Sequence, residues 1–428
     1  MISPPCEDSH PMTTVTLNTR ATWSWALYDW ANSTFATTVL AGFFPVLFKQ
    51  YWAEEMAAAQ STFWLGLFSS AASLLVMLMS PWLGAVADRR GAKKRLLLLF
   101  TLIGVLPTLG LFWAGEGQWL LAALLFAAAS VGFFGGLTFY DALLVDVAAP
   151  EESDRVSAWG YALGYLGGGL LFALNVVMAT QPEWFGLASA TQAVKVSFVM
   201  VAAWWTLFAL PLFFWVKERP ASAGTDTSFA ALVAILRQAV KTPGVLTFLI
   251  AYWLYIDGVH TIIRMAVDFG MALGFASNSL IVALLLVQFV AFPAAVAFGY
   301  LGEHIGTKRA IYLGLLVYAL VTAGGYAMQT ESQFFLLAGA IGLVQGGVQA
   351  LSRSFYARLI PADQAGAYFG LFNMIGKFAA VLGPLLVGVV ALVSGSNRLS
   401  ILSLLVLFVL GAVLLARVRE PGHKRQPR

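Results

Sequence analysis

Cysteine is almost missing from this chain: Cys6 stands alone among 428 residues, so no internal disulfide, dithiol redox centre or thiolate metal site can form. Charge is scarce too. Asp, Glu, Lys and Arg supply 11% of the residues, where soluble proteins carry roughly 25%. Hydrophobic residues reach 60%, and mean hydropathy is +0.80. That surplus of apolar mass excludes a single water-soluble domain. The 25 basic residues barely exceed the 21 acidic ones, which gives no argument for a nucleic-acid partner. Residues 1–20 hold no apolar stretch of the kind a cleaved signal peptide needs, so the first apolar run is expected to stay as a membrane span. Gly-x-x-x-x-Gly-Lys-Ser/Thr, His-Glu-x-x-His and Gly-x-Ser-x-Gly do not occur, which argues against a nucleotide-driven pump and an intramembrane hydrolase. No enzyme chemistry, cofactor or metal is expected.

Long apolar runs are what the chain has in abundance. They fall near 23–48, 63–87, 96–114, 119–147, 157–180, 195–216, 244–269, 279–302, 310–328, 333–359, 368–393 and 398–416. A bilayer core takes about 20 apolar residues per helix, and only helices or closed barrels satisfy the backbone there. Runs this continuous are not the ~10-residue alternating strands of a barrel. The expected fold is therefore all-α, with twelve transmembrane helices in two pseudo-symmetric six-helix halves, 1–216 and 244–428. A cytoplasmic linker, 217–243, joins them, and in it Phe229, Leu232, Val233, Leu236 and Val240 recur at helical spacing. An amphipathic helix at the inner interface and a packed linker helix both fit that pattern.

With the N-terminus inside, nineteen Lys and Arg fall on the cytoplasmic side, and Lys49, Lys195 and Arg398 fall outside. The positive-inside rule then puts both termini in the cytoplasm. A monomer in the plasma (inner) membrane, in contact with lipid, is the expected setting.

The two halves repeat. Gly84-Ala-Val-Ala-Asp88-Arg89-Arg-Gly91-Ala-Lys93-Lys94 after the second run matches Gly299-Tyr-Leu-Gly-Glu303-His-Ile-Gly306-Thr-Lys308-Arg309 after the eighth. Trp25-x-x-x-Asp29 returns as Trp253-x-x-x-Asp257, and Gly135-Gly136…Pro150 returns as Gly346-Gly347…Pro361. The second half is a diverged copy of the first.

The 84–94 segment resembles the signature loop between the second and third spans of the major facilitator superfamily. That resemblance implies a transporter in which Gly84 and Asp88 hold the cytoplasmic faces of the halves together in one conformational state. Trp25-Ala-Leu-Tyr-Asp-Trp-Ala-Asn-Ser, Asp257-Gly-Val-His-Thr-Ile-Ile-Arg, Gln345-Gly-Gly-Val-Gln-Ala-Leu-Ser-Arg-Ser and Gly370-Leu-Phe-Asn-Met-Ile-Gly-Lys are similar to the branch that holds bacterial relatives of fungal vacuolar amino-acid effluxers. Gly164-Tyr165-Leu-Gly-Gly-Gly resembles a drug-antiporter motif, but Tyr165 stands where that motif has proline, which counts against drug antiport. The Gly160, Gly164, Gly168 series reads as a ridge for close helix approach.

Ionisable groups inside a span are costly and mark a pathway or pair with one another. Helical spacing puts Asp29 and Asn32 on one face of the first span, and Asp257, His260, Arg264 and Asp268 on one face of the seventh. Asp141 lies in the fourth, Gln345, Gln349 and Arg353 in the tenth, and Lys377 in the eleventh. Asp257 sits deepest and, with His260, is the first proton-coupling pair, with Asp29 as a further candidate; permanent pairing of Asp257 with an arginine is the alternative. Asp29, Asp141 and Arg353 share a depth, which permits either an ion-paired inner gate or an Arg353 grip on a substrate carboxylate. Arg264 with Asp268 is either an outer gate or a surface pair. Lys377 either binds substrate or snorkels to the interface.

The leading functional expectation is secondary transport of a small polar solute, an amino acid or similar zwitterion exported with proton coupling. Transport of sugars, drugs or organic ions and a non-transporting sensor on the same fold are the alternatives.

Overall fold

The computed structural model describes residues 19–221, 237–239, 241–272, 275, 277–379 and 382–420. The amphipathic positions Phe229, Leu232, Val233, Leu236 and Val240 of the linker lie outside the described residues. Among the described residues the secondary structure is helical. Eleven helices are long and apolar enough to cross a membrane. Another, Lys93–Gly110, is 18 residues long and opens on Lys93, Lys94 and Arg95, which places its charge at one end and leaves the rest apolar. Together these make the expected twelve.

We number them α1 (Arg20–Trp52), α2 (Ala58–Arg90), α3 (Lys93–Gly110), α4 (Trp119–Ala142), α5 (Ser153–Thr180) and α6 (Ala190–Trp215). There follow α7 (Val245–Ala272), α8 (Ser277–Ile305), α9 (Thr307–Ala327) and α10 (Glu331–Leu359). The α11 run is described in two pieces, Ala365–Phe378 and Leu382–Ser394, where the sequence reads as one. Last comes α12 (Arg398–Ala416).

Local chemistry sets the ends. Thr330 and Gln333 form a reciprocal capping box that starts α10, and the Ser189 side chain accepts from Gln192 N–H to start α6. The tight α2–α3 and α8–α9 turns each need a left-handed residue, and the repeated glycines supply it: Gly91 has φ 55° and Gly306 φ 95°. Along α1 the hydrogen-bonding widens to π-helical over Phe35–Phe43 and Phe48–Trp52. Such widening recurs at functional sites in helices.

Lipid is as apolar as leucine, so helices associate through close contact rather than burial from water. Two large buried clusters result. One is drawn from α1–α6 and centres on Trp25, Phe44, Trp52 and Trp205. The other, centred on Tyr255, Tyr318, Phe355 and Tyr356, comes mainly from α7–α12, with Ala85 and Ala142 added from the first six helices and Ala239 from the linker. Phe44 stacks on Phe126 with ring centroids 3.9 Å apart. Outward-facing Leu74, Leu78, Leu392 and Val393 stay exposed, as residues facing hydrocarbon do.

Candidate substrate cavity and gate

A cavity of about 550 Å³ lies between the two sets of helices. Its polar lining comes from Asp29, Asn32 and Thr37 on α1, Asp141 on α4, and Tyr161 and Tyr165 on α5. Opposite stand His260, Gln288, Gln345, Gln349, Arg353, Asn373 and Lys377, from α7, α8, α10 and α11. Phe133, Phe134, Phe172 and Phe334 are among its apolar walls.

Its floor is an ion cluster. Arg353 Nη1 lies 3.1 Å from Asp141 Oδ1 and 3.5 Å from Asp29 Oδ2, so α10 is tied to α4 and α1. Arg353 Nε donates to Ser157 Oγ and Nη2 to the Ser157 carbonyl, both at 2.9 Å. The guanidinium also sits 4.3 Å from the Tyr161 ring centroid and 4.8 Å from that of Trp25, a cation–π contact that helps hold a desolvated charge. Tyr140 donates to Asp29 Oδ2 at 2.9 Å, and Asn373 Nδ2 to Asp141 Oδ2 at 2.9 Å. Arg353 is 2% exposed. The Gly160, Gly164, Gly168 series does lie along α1, with Thr37 donating to the Gly168 carbonyl at 3.2 Å. At Gly160 a Cβ would stand 3.0 Å from both Arg353 Nη2 and Asp29 Oδ2, so this glycine makes room for the ions.

Below the floor, at the end of the bundle rich in Lys and Arg, two contacts join the two sets of helices. On one side Asp88, ending α2, accepts from Gly366 N–H at 2.8 Å and Ala367 N–H at 2.9 Å. These are first-turn amides of α11, where free N–H groups and the helix dipole favour an anion. The helices touch backbone to backbone, since a Cβ on Gly84 would lie 2.0 Å from the Gly366 carbonyl. Arg89 ends the same helix, where a cation is favoured. Lys93 bridges Asp146 at 3.1 Å and Asp88 at 3.8 Å.

On the other side the repeat breaks its symmetry. Glu303, the copy of Asp88, pairs with the Arg155 side chain at 3.4 Å. The central acid there is Asp154, which takes bonds from Thr307, Ser354 and Arg358. Gly299 lets the helices come close here, for a Cβ there would lie 2.5 Å from Ala158 Cβ on α5. Asp154 gave no signal in the sequence, being one of several charges in a loop.

Each signature turn is also held from behind. Glu218, just past α6, accepts from Lys94 N–H at 3.3 Å, and Lys94 Nζ donates to the Val216 carbonyl at 2.6 Å. Glu420, just past α12, accepts from Thr307 N–H at 2.8 Å, and Lys308 Nζ donates to the Val418 carbonyl at 2.7 Å. Val216-Lys-Glu218 and Val418-Arg-Glu420 are thus a further repeat, too short to notice without the contacts. Partial burial pushes the Glu218 carboxyl up from its ordinary value.

The remaining candidate side chains divide between the cavity and helix packing. The Asp257 carboxylate is not among the cavity-lining groups; 0% exposed, it accepts from Gly383 N–H on α11 at 3.0 Å and from Thr261 at 3.4 Å. His260, three residues on in α7, lines the cavity. The side chains of Arg264 and Asp268 lie outside the described residues. Lys377 lines the cavity, its ammonium 3.0 Å from the Phe134 ring centroid. Gln349 accepts from Tyr165 at 3.1 Å across the halves, which gives the residue in the proline position a contact of its own.

A two-sided bundle of twelve helices around a central polar cavity, closed at one end by helix-to-helix ion contacts, is the architecture of a major facilitator transporter. Solved structures agree on the fold. The proton:xylose symporter XylE superposes with TM-score 0.72 at 14% identity, covering 95% of this chain and 96% of that one. A bacterial homologue of the iron transporter ferroportin in its outward-facing state gives 0.65 at 13% identity, covering 94% and 99%. Residues 52–427 match the family model described as vacuole effluxer Atg22 like, and the chain belongs to that family. The MFS-type transporter YxiO of Bacillus subtilis (strain 168) is 38% identical over 406 residues, 93% of this chain and 94% of that protein. Autophagy-related protein 22-1 of Neosartorya fischeri is 27% identical over 309 residues, 64% of this chain and 49% of that protein.

Proposed function

We propose that this transporter exports a small zwitterionic solute, an amino acid or close analogue, in exchange for protons by alternating access. The moving units are the halves 1–216 and 244–428, the linker 217–243 joins them, and the protein works as a monomer. The basic end and both termini face the cytoplasm of the plasma (inner) membrane. The observation that carries the reading is the cavity floor: one guanidinium on α10 faces two carboxylates, on α1 and α4. Opening the floor separates Arg353 from Asp29 and Asp141, and two carboxylates cannot be left together in a low-dielectric cavity without a compensating cation. A proton supplies it, and the floor closes again only when that proton leaves. The two contacts below, through Asp88 and Asp154, break in the same motion.

Proteoliposomes loaded with a radiolabelled amino-acid mixture test this. Efflux should accelerate several-fold when the opposite compartment is acidified, and Asp29→Asn or Asp141→Asn should remove the acceleration while sparing exchange. Efflux indifferent to imposed pH gradients would overturn the proton coupling.

A further inference from the structure

Tyr165 stands between two amides on one face of α10. Its hydroxyl, on α5, donates to Gln349 Oε1 at 3.1 Å, and the Gln345 side chain approaches the same hydroxyl from the neighbouring turn of α10. All three side chains line the cavity. Gln345 and Gln349 are four residues apart, so their amides stack on one face, about 6 Å from each other along the helix axis. Only one of the two acceptors is in use. Gln345 is 8% exposed, and its Oε1 accepts no hydrogen bond among the described residues, a costly state for a buried acceptor.

The backbone leaves a track between the two positions. Gly346 lies under the Tyr165 ring, where a Cβ would stand 2.9 Å from Cε2, so the ring rests on bare helix. Counted from the basic end at ~1.5 Å per residue, Gln349 lies at about 15 Å, Tyr165 at about 18 Å and Gln345 at about 21 Å along their helices. The hydroxyl thus belongs to a residue midway between its two acceptors. Rocking of one set of helices on the other, about a pivot at cavity depth, parts the groups below the pivot and brings together those above it. Motion that spreads the basic end therefore carries Tyr165 away from Gln349 and towards Gln345.

We propose that Tyr165 is a two-position latch. With the basic end closed, as here, its hydroxyl bonds Gln349; with that end open, it bonds Gln345 Oε1, one turn along α10. A one-turn step between two discrete seats makes a contact bistable. The exchange keeps one cross-bond in each state, so the hydroxyl is paired in both, and the free acceptor of Gln345 is the seat for the other state. This rests on the alternating-access reading above and gives that motion a positioning residue.

Electron–electron resonance between spin labels at exposed Arg90 and Asp363, on α2 and before α11, reads the basic end without solute. The Asp88→Asn background, which loosens that end, supplies both populations. There Gln345→Met should shift their ratio about fivefold towards the short distance, and Gln349→Met about fivefold towards the long one, the worth of one neutral hydrogen bond. Tyr165→Phe should abolish both shifts. Gln345→Leu and Gln349→Leu repeat the comparison if a methionine variant does not fold. Glutamine variants that shift the ratio in the same direction, leave it unchanged, or act equally in the Tyr165→Phe protein would overturn the latch and leave alternating access standing. A background that holds a single distance would remove alternating access, and the latch with it.

Discussion

The Asp88 carboxylate grips the Gly366 amide at 2.8 Å, and Gly84 one turn earlier on α2 has its Cα against the carbonyl of the same residue. Charge and absence of a side chain therefore act on one peptide. Gly84→Ala pushes a methyl to 2.0 Å from an oxygen that cannot give way, and Asp88→Asn removes a charge-assisted bond worth about 1.5–3 kcal/mol. Both variants should lengthen the distance between spin labels at Arg90 and Asp363 by several ångströms in electron–electron resonance. An unchanged distribution in Gly84→Ala would show that the two helices do not depend on this contact.

Arg353 should behave as a member of a cluster. Removing it leaves two buried carboxylates facing each other, a change that costs about 3–5 kcal/mol when one partner of a buried pair is lost. Arg353→Ala should lower the melting temperature strongly, and adding Asp141→Asn should recover part of the loss. Calorimetric or fluorescence melting of the single and double variants checks this, and a fully additive double variant would contradict the coupling.

Asp257→Asn should retain gradient-driven transport, since the asparagine carbonyl still accepts from Gly383 N–H, whereas Asp257→Leu should fail to fold because that amide loses its partner. A folded Asp257→Asn protein that exchanges solute but no longer responds to a pH gradient would return Asp257 to the coupling path.

Glu218 predicts a pH effect. Its carboxyl is pushed up from the ordinary glutamate value by burial, so the folded chain holds that proton more tightly than the unfolded chain. The stabilisation is full below the unfolded value and fades as pH rises through the folded one. Wild type should therefore gain stability relative to Glu218→Gln as pH falls from 7 towards about 4.5. Melting curves of both proteins across that window give the comparison, and parallel curves would exclude it.

Much of this was legible in the chain, and for a physical reason. Lipid tolerates so few charges that each one inside an apolar run is conspicuous, so Asp29, Asp141 and Arg353 could be placed at one depth before any coordinates. The signature glycines were equally plain, because Gly91 and Gly306 repeat where a left-handed turn is needed. What stayed hidden depends on rotation and register. Asp29 and Asp257 follow the same Trp-x-x-x-Asp pattern, yet one lines the cavity and the other packs on α11 at Gly383, a difference of helix rotation that the pattern does not encode. Asp154, Glu218 and Glu420 sit in charged connections where any residue looks solvated, and only the amides and hydroxyls brought to them reveal their use.

The eleventh run is held by two acids, and they come from opposite halves. Asp88 of the first half holds the foot of Ala365–Phe378, and Asp257 of the second half holds Leu382–Ser394. The helix thus has two owners in this state. When the foot is released the upper anchor remains, and Ala365–Phe378 is the part free to move. It carries Asn373 and Lys377, so its displacement would withdraw the amide from Asp141 and shift the ammonium with it. Cavity lining and closure would then change together.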